Sequence, residues 1–444
     1  MPSGVEVRAG HVERHRLHVG EHRGAVAGHP PPGRARTAAG VEQQRLLTTL
    51  EVRHQELREQ LACVAVPPVA RSGGGHAAVL VGVHGRRVWH RIATCRGHRA
   101  DARLRSIPVP PATADLDALR ATGCVVTGGL GFIGSNLVHR LVSLGVHVRV
   151  IDAVVAEHGA NHRNLDGLDG SLVDVLETDI GDPRVGPVLR GVGHVFNLAG
   201  QVSHTASMTD PVRDLELNTI THARFLEMLR VENQQARVVH TSTRQVYGRV
   251  DRFPVDEHTP ARPIDVNGVA KLAGEHLHLV YAHAHRMAIT SLRLTNVYGP
   301  RQRLTSDELG FLPVFVRKAL LGEPIELFGG GEQRRDCLFV DDVVDAILAA
   351  STPKALGAVY NVGHVRSHSL REIADELTSL AGTGSEVVTT PWPPVHRRID
   401  IGSFETDSGA IRHDLGWEPA TELAAGLRRT LDFYRDRPWY LSST

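Results

Sequence analysis

The chain has 444 residues, 50 basic and 49 acidic, for a net charge of +1, and 41% of it is hydrophobic. That balance argues against a dedicated polyanion binder, and the apolar share excludes wholesale disorder. No apolar run approaches the roughly eighteen residues that span a bilayer, and the N-terminus shows no apolar leader core. Four cysteines (Cys63, Cys95, Cys124, Cys337) without CxxC spacing suit a reducing compartment, so a cytoplasmic location is expected.

Residues 1–115 differ from the rest. They hold 17 arginines and no lysine against nine acidic residues, a local charge of +8, and 10 of the 27 histidines. Only Val41 to Leu61 carries leucines at helical spacing. The segment reads as a poorly structured Arg/His-rich N-terminal extension. A basic arm for an acidic partner is the alternative, and a His-rich metal module lacks a repeated ligand geometry, so no metal site is expected.

From Gly123 the pattern changes. The segment CVVTGGLGFIGSNLVHRLVSLGVHVRVID reads as a strand, a glycine turn, an amphipathic helix and a second strand. Gly128, Gly131 and Gly134 permit, in turn, a tight turn, the approach of a pyrophosphate and close helix–strand packing. The helix then presents free N–H groups and a positive dipole end to phosphates. Asp152 ends the second strand, where a carboxylate accepts hydrogen bonds from ribose hydroxyls and repels a 2′-phosphate, which favours NAD over NADP.

Further strands follow in LVDVLETDI, HVFNLAG, RVVHTST and AITSLRLTNVYG. Their alternation with helices predicts an α/β fold, a doubly wound and mostly parallel Rossmann-type sheet. Residues 120–300 are expected to form the dinucleotide-binding domain. Residues 300–440 are expected to form mainly a smaller C-terminal substrate-binding subdomain, with returns to the main sheet.

The ordered motifs TGGLGFIG, Asp152, ETDI, NLAG, LELN, TSTRQVYG, NGVAK, LRLTNVYGP and EQRRDCLFVDD resemble the extended short-chain dehydrogenase/reductase family, and within it the NAD-dependent nucleotide-sugar epimerases and dehydratases. The resemblance covers about residues 122–437. It implies that Gly128, Gly131, Phe132, Ile133 and Gly134 cradle NAD, that Asp152 holds its ribose, and that Asp179 and Ile180 flank adenine. Leu198, Ala199 and Gly200 would line the cofactor path, and Asn218 would be the family's buried helix asparagine. Thr243 falls at the catalytic Ser/Thr, and Lys271 at the lysine that binds the nicotinamide ribose. Asn296 and Arg335, with Arg301 and Arg397 or Arg398 as further cations, would meet the diphosphate of a nucleotide-diphosphate sugar. The resemblance also implies a homodimer, built through helices near residues 214–230 and 267–285.

One position departs from the pattern. The family's YxxxK tyrosine is Asn267 here, and an amide cannot carry a phenolate's charge or relay a proton near neutral pH. His204, Tyr247 and Tyr298 are the side chains that could replace it, as could a water beside Asn267 and Lys271; an imidazole is the usual side chain for proton transfer near neutral pH. Relatives that dehydrate or decarboxylate the sugar carry carboxylates just after the threonine, whereas this chain has Arg244 and Gln245. The expectation is therefore an NAD-dependent nucleotide-sugar epimerase acting at C4, with Thr243, Lys271, Asn267 and His204 at its centre. Another nucleotide-sugar oxidoreductase, a dehydratase with a displaced acid, or a silent NAD-binding protein remain as alternatives.

Overall fold

The computed structural model describes residues 116–306 and 309–442. The expected extension over residues 1–115, with its candidate helix from Val41 to Leu61, lies outside the described residues.

Seven short strands, β1 (Cys124–Thr127), β2 (Val148–Asp152), β3 (Val173–Glu177), β4 (His194–Asn197), β5 (Arg237–Thr243), β6 (Ala288–Leu294) and β7 (Val359–Val362), form one sheet. Their order is β7-β6-β5-β4-β1-β2-β3, and every neighbouring pair is parallel. The winding direction reverses between β1 and β4. In such sheets ligands bind at the carboxyl ends of the strands beside that reversal.

Alternation along the strands builds two cores, because successive side chains point to opposite faces. On one face Val126, Val148, Val150 and Phe196 pack with Leu137 and Leu141 of helix α1 (Phe132–Ser143) and with Val343 and Ile347 further along the chain. On the other face Val125, Ile151, Val195, Val238 and Ile289 meet Phe225, Leu226 and Leu229 of α2 (Thr221–Asn233). Helix α3 (Val266–His285) lies on the same side, adding Leu277 and Tyr281. A third cluster gathers residues after 297. Phe315 and Val316 of α4 (Phe311–Leu321) pack with Ile373 and Leu377 of α5 (Leu370–Ala381) and with Leu427 and Leu431 of α6 (Leu423–Arg435). Between α4 and α6 the chain returns to the main sheet as β7, beside β6.

Helix α3 is fixed to β6 by charge as well as by apolar packing. Glu275, fully buried, accepts from Arg293 Nη2 at 2.6 Å and from Arg293 Nε at 3.0 Å. Arg293 Nη1 donates to the Tyr247 hydroxyl, which donates to Asn361 Oδ1 in β7. Removing one partner leaves the other charge buried and unpaired. Glu275→Ala is expected to cost about 3–5 kcal/mol, read as a lowered urea midpoint with an unchanged slope; a loss within about 0.5 kcal/mol would show the pair to be dispensable.

Candidate active site

The carboxyl ends of β1, β2, β4, β5 and β6 surround one cavity. Its first wall is the glycine turn. A Cβ on Gly134 would lie 2.1 Å from the Gly128 carbonyl oxygen, so only glycine lets α1 start against the turn. Gly131 caps α1 without any side-chain bond, leaving the first-turn N–H groups open toward the cavity. The Leu130 N–H donates to Asp152 Oδ2 at 2.9 Å, and the Val154 N–H donates to Oδ1 at 2.8 Å. Burial pushes the Asp152 carboxyl above its ordinary pKa, and these two N–H groups oppose that shift. Phe132, Ile133, Asp179, Ile180, Leu198, Ala199 and Gly200 complete this end of the cavity with the turn glycines and Asp152.

The floor is a buried polar network. The Thr127 hydroxyl donates to Asn197 Oδ1 at 2.7 Å and accepts the N–H groups of Leu198 and Ala199 at 3.0 and 3.1 Å. Asn197 Nδ2 donates to His222 Nδ1 at 3.1 Å and to His278 Nε2 at 3.0 Å, while His278 Nδ1 donates to the Gly274 carbonyl. His240 stacks on His278 with ring centroids 3.9 Å apart. Ring nitrogens of the three histidines lie within 4.8 Å of one another, yet both nitrogens of His278 and one of His222 are already bonded within the protein. Burial keeps all three neutral, taking His278 down to about 4.

The opposite end gathers Thr243, Arg244, Gln245, Asn267, Lys271, His204 and Asn296. Thr243 closes β5, and its Oγ1 accepts the Gln245 N–H at 3.2 Å. Lys271 projects from α3 beneath Gly200, where a Cβ would come within 2.5 Å of Nζ. Burial lowers the Lys271 ammonium to about 8, against the pull of the Asp214 carboxylate. The helical stretch leading into α2 contains a π turn at Glu216–Ile220, which aims Asn218 at the loop after β4. There Asn218 Oδ1 accepts the Gln201 N–H, and its Nδ2 donates to the Gln201 carbonyl. Asn296 Oδ1 and Ser242 Oγ are buried without a hydrogen-bond partner among the described residues, so both stand ready for a ligand.

Asn267 faces the cavity, but its amide is engaged elsewhere. Nδ2 lies within hydrogen-bond distance of the Gln201 carbonyl (3.1 Å), Gln201 Oε1 (3.1 Å) and Asp214 Oδ1 (3.2 Å). This amide ties α3 to the loop after β4 and has no chemistry for proton transfer. Neither of the two tyrosines lines the cavity. Tyr247 is buried between Arg293 and Asn361, and the Tyr298 hydroxyl points to the Leu423 carbonyl. Burial raises both phenols. His204 remains: it lines the cavity with Nδ1 3.0 Å from Asp265 Oδ2, an ion-pair contact off the ideal hydrogen-bond line.

Three expected diphosphate cations are not brought to this cavity. Arg335 is buried, with Nη1 donating to the Gly402 carbonyl and Nη2 to Gln333 Oε1 and Asp400 Oδ1. Arg301 donates to Asn136 Oδ1 at 2.9 Å and covers the Phe433 ring. Arg398 lines a separate, shallower depression with Arg397, Arg249 and Trp392. Gly402 and Asp400 for Arg335, and Asn136 and Phe433 for Arg301, come from segments distant in sequence, which motif order cannot reveal. Gln201, Asp265 and Arg244 are site residues that sequence reading left without a role. Only Asp265 carries a local signal, an aspartate just before the first turn of a helix.

Asp265 couples that helix to the site. Its Oδ1 accepts the Gly268 N–H at 2.6 Å as the N-cap of α3, while Oδ2 accepts Gln245 Nε2 at 2.8 Å beside His204. Although burial alone would raise it, the His204 contact and the cap N–H hold this carboxyl below its ordinary pKa. Asp265→Ala is expected to cost about 1–2 kcal/mol through the lost cap, and Asp265→Asn, which keeps the capping oxygen, under half of that. Urea unfolding of the two variants measures the difference, and equal losses would place the effect outside the cap.

Comparison with known proteins gives this geometry a lineage. Residues 124–363, more than half of the chain, match the model of the NAD dependent epimerase/dehydratase family. The chain is 32% identical over 318 residues to a UDP-glucose 4-epimerase of Mycolicibacterium smegmatis, covering 70% of this chain and 98% of that one. The crystal structure of UDP-glucose 4-epimerase with UDP-glucose from Thermotoga maritima is 32% identical, covers 71% of this chain and 99% of its own, and superposes with a TM-score of 0.65. The Thermus thermophilus UDP-glucose 4-epimerase complex with NAD is 30% identical over 71% and 99% of the two chains, with a TM-score of 0.63. With the reversal of its parallel sheet opening on a glycine turn, an acidic strand end and a threonine–lysine pair, the chain belongs to the NAD-dependent epimerase/dehydratase family.

Proposed function

We propose that the protein epimerises a nucleotide-diphosphate sugar at C4 in an NAD-dependent reaction. The observation that carries this reading is the meeting of Thr243, Lys271 and His204 in the cavity that also holds the glycine turn and Asp152. Gly128, Gly134 and Asp152 fit the dinucleotide: a Cβ would fill the space at the turn, and a carboxylate stands at the ribose end. NAD supplies the hydride acceptor and donor when bound.

The chain's own groups handle the proton and the charge. The Thr243 hydroxyl bonds the reacting sugar oxygen, and the Lys271 ammonium favours negative charge on it. His204 takes the hydroxyl proton and later returns it, with Asp265 below it holding the imidazole and balancing its positive charge. Asn296, which lines the cavity, anchors the nucleotide diphosphate by donating its side-chain amide N–H to a phosphate oxygen. The cavity wall after Thr243 continues as Arg244 and Gln245, so the carboxylates that an elimination would need are absent from that turn.

The homodimer belongs to the same proposal. Val212, Leu215 and Ile220 ahead of α2, with Val269 and Val280 of α3, leave apolar side chains exposed on the two helical segments expected to pair. Among the described residues no helix is long and apolar enough to cross a membrane. Cys124 and Cys337 are buried free thiols, which supports a reducing cytoplasm.

The test follows purified protein with NAD and a panel of UDP-, GDP-, ADP- and dTDP-sugars by NMR. One sugar of the panel is expected to equilibrate with its C4 epimer, and NAD binding without any isomerisation would sink the proposal. His204→Gln is expected to lower kcat by about 10²–10⁴-fold, the usual contribution of a positioned acid–base group. Equal turnover in that variant would remove His204 from the mechanism.

Lys271 sets a pH dependence. Its ammonium is charged below about 8 and is lost as pH rises through that value. A cation beside the dinucleotide favours binding, so the affinity of the NAD-free protein for NAD is expected to fall above about pH 8. Lys271→Met should bind more weakly at pH 7 and show no such fall; a parallel pH dependence in the variant would assign the titration to another group.

A further inference from the structure

Arg244 follows Thr243 and lines the same cavity, yet the reaction as derived gives it no task. Its guanidinium lies over the Phe404 ring, 5.2 Å from the centroid, and its buried Nη1 has no hydrogen-bond partner among the described residues. The carboxylates whose charge reaches it are committed elsewhere. Asp336 accepts from Thr295 Oγ1 at 2.5 Å and from the Thr406 N–H at 3.1 Å. Asp400 accepts from Gln333 Nε2, the Gly402 N–H and Arg335 Nη2. The two aspartates that line the cavity, Asp152 and Asp179, stand at its dinucleotide end.

The sugar end therefore carries Lys271 and Arg244 with no free carboxylate among its lining residues. Burial, with the charge of Arg335 next, lowers the Arg244 guanidinium to about 10, so water already solvates this cation poorly. A desolvated cationic donor without an acceptor is costly to keep unless a ligand supplies the acceptor. A guanidinium fixed on an aromatic face presents a planar fork, the geometry that suits a carboxylate.

We propose that Arg244 is a specificity-determining residue that receives a carboxylate on the sugar, so that the preferred substrate is a nucleotide-linked hexuronic acid. This rests on the C4 epimerase reading. With the C4 oxygen on Thr243, the neighbouring ring carbon, C5, carries the exocyclic C6, and the next residue along the same turn is Arg244. An alcohol at C6 would leave the charge of Arg244 unmatched; a carboxylate neutralises it. The diphosphate leaves the sugar from C1, across the ring from C4, while C6 leaves from C5 beside C4.

The experiment uses the full-length protein loaded with NAD and measures binding and turnover of UDP-glucuronic acid, UDP-glucose and UDP. The protein is expected to take UDP-glucuronic acid with at least a tenfold lower KM than UDP-glucose. Arg244→Met should erase that preference, and Arg244→Lys should restore part of it, with UDP affinity and NAD affinity unchanged in both and the melting temperature not lowered in Arg244→Met. Equal KM values for the two sugars in the unmodified protein overturn the proposal. A tenfold loss of UDP affinity in Arg244→Met also overturns it, by assigning the guanidinium to the diphosphate. Turnover of UDP-glucose without any gain from the carboxylate sinks this inference alone, whereas no turnover of any sugar of the full nucleotide-sugar panel with NAD bound sinks the epimerase reading beneath it.

Discussion

One hydroxyl holds the mouth of the sheet in shape. Thr127, the last residue of β1, is fully buried, and its oxygen accepts two backbone N–H groups from the turn after β4 while donating to Asn197. The turn at Leu198 and Ala199 is thereby bonded across the gap where the winding reverses, and the gap stays open as a cavity. Asn197 passes the constraint to α2 and α3 through His222 and His278. The same loop continues to Gly200 and Gln201, which Lys271 and Asn267 approach from α3. The helix that carries the lysine and the strand ends that carry the dinucleotide turn are thus positioned by one connected polar network. Such a network rigidifies a core only when each member is satisfied.

The fold and the dinucleotide end of the site were legible because their signals are local. A glycine triad between a strand and a helix, and an acid at the end of the next strand, need only about thirty residues to be recognised. The structure adds the reason: the backbone approach at Gly134 excludes even a methyl group. The other end of the cavity was less legible because its side chains are paired across the chain. His204 meets Asp265, Arg244 meets Phe404 and Arg335 meets Gly402, each from segments with no shared periodicity. A motif fixes which residue stands at a position, not which partner occupies it. Arg335 therefore looked like a phosphate clamp, while its guanidinium is spoken for by Gln333, Asp400 and Gly402.

Asn267 shows the same limit from the other side. The sequence establishes that the expected tyrosine is missing, but not what an asparagine does in its place. In the structure the amide has become a tie between α3, Gln201 and Asp214. A phenol, with a single O–H against the amide's two N–H groups, could not bond both Gln201 and Asp214 as donor. The Asn267 amide therefore has a positioning task, and the proposed function gives the proton to the His204–Asp265 pair: an imidazole at the cavity wall, with a carboxylate held at a helix N-cap behind it.

The cavity also has an electrical direction. Asp152 and Asp179 stand at the dinucleotide end, where sugar hydroxyls and the adenine ring are neutral ligands and a carboxylate acts as acceptor. The open N–H groups of α1 at the same end offer donors suited to phosphates. At the other end Lys271 and Arg244 are both desolvated cations, lowered by burial from their ordinary values. Placing two such charges in one small space opposes folding, since each is deprived of water; Asp214 pulls on Lys271, and Asp336 and Asp400 on Arg244, but none of these carboxylates lines the cavity. In the proposed reaction the oxyanion that develops on the reacting oxygen would answer Lys271, but only during turnover. Arg244 has no comparable transient partner, so its charge calls for an anion already present in the ground state of the bound sugar. That asymmetry between the two cations is what separates a residue that accelerates the reaction from one that selects what enters it.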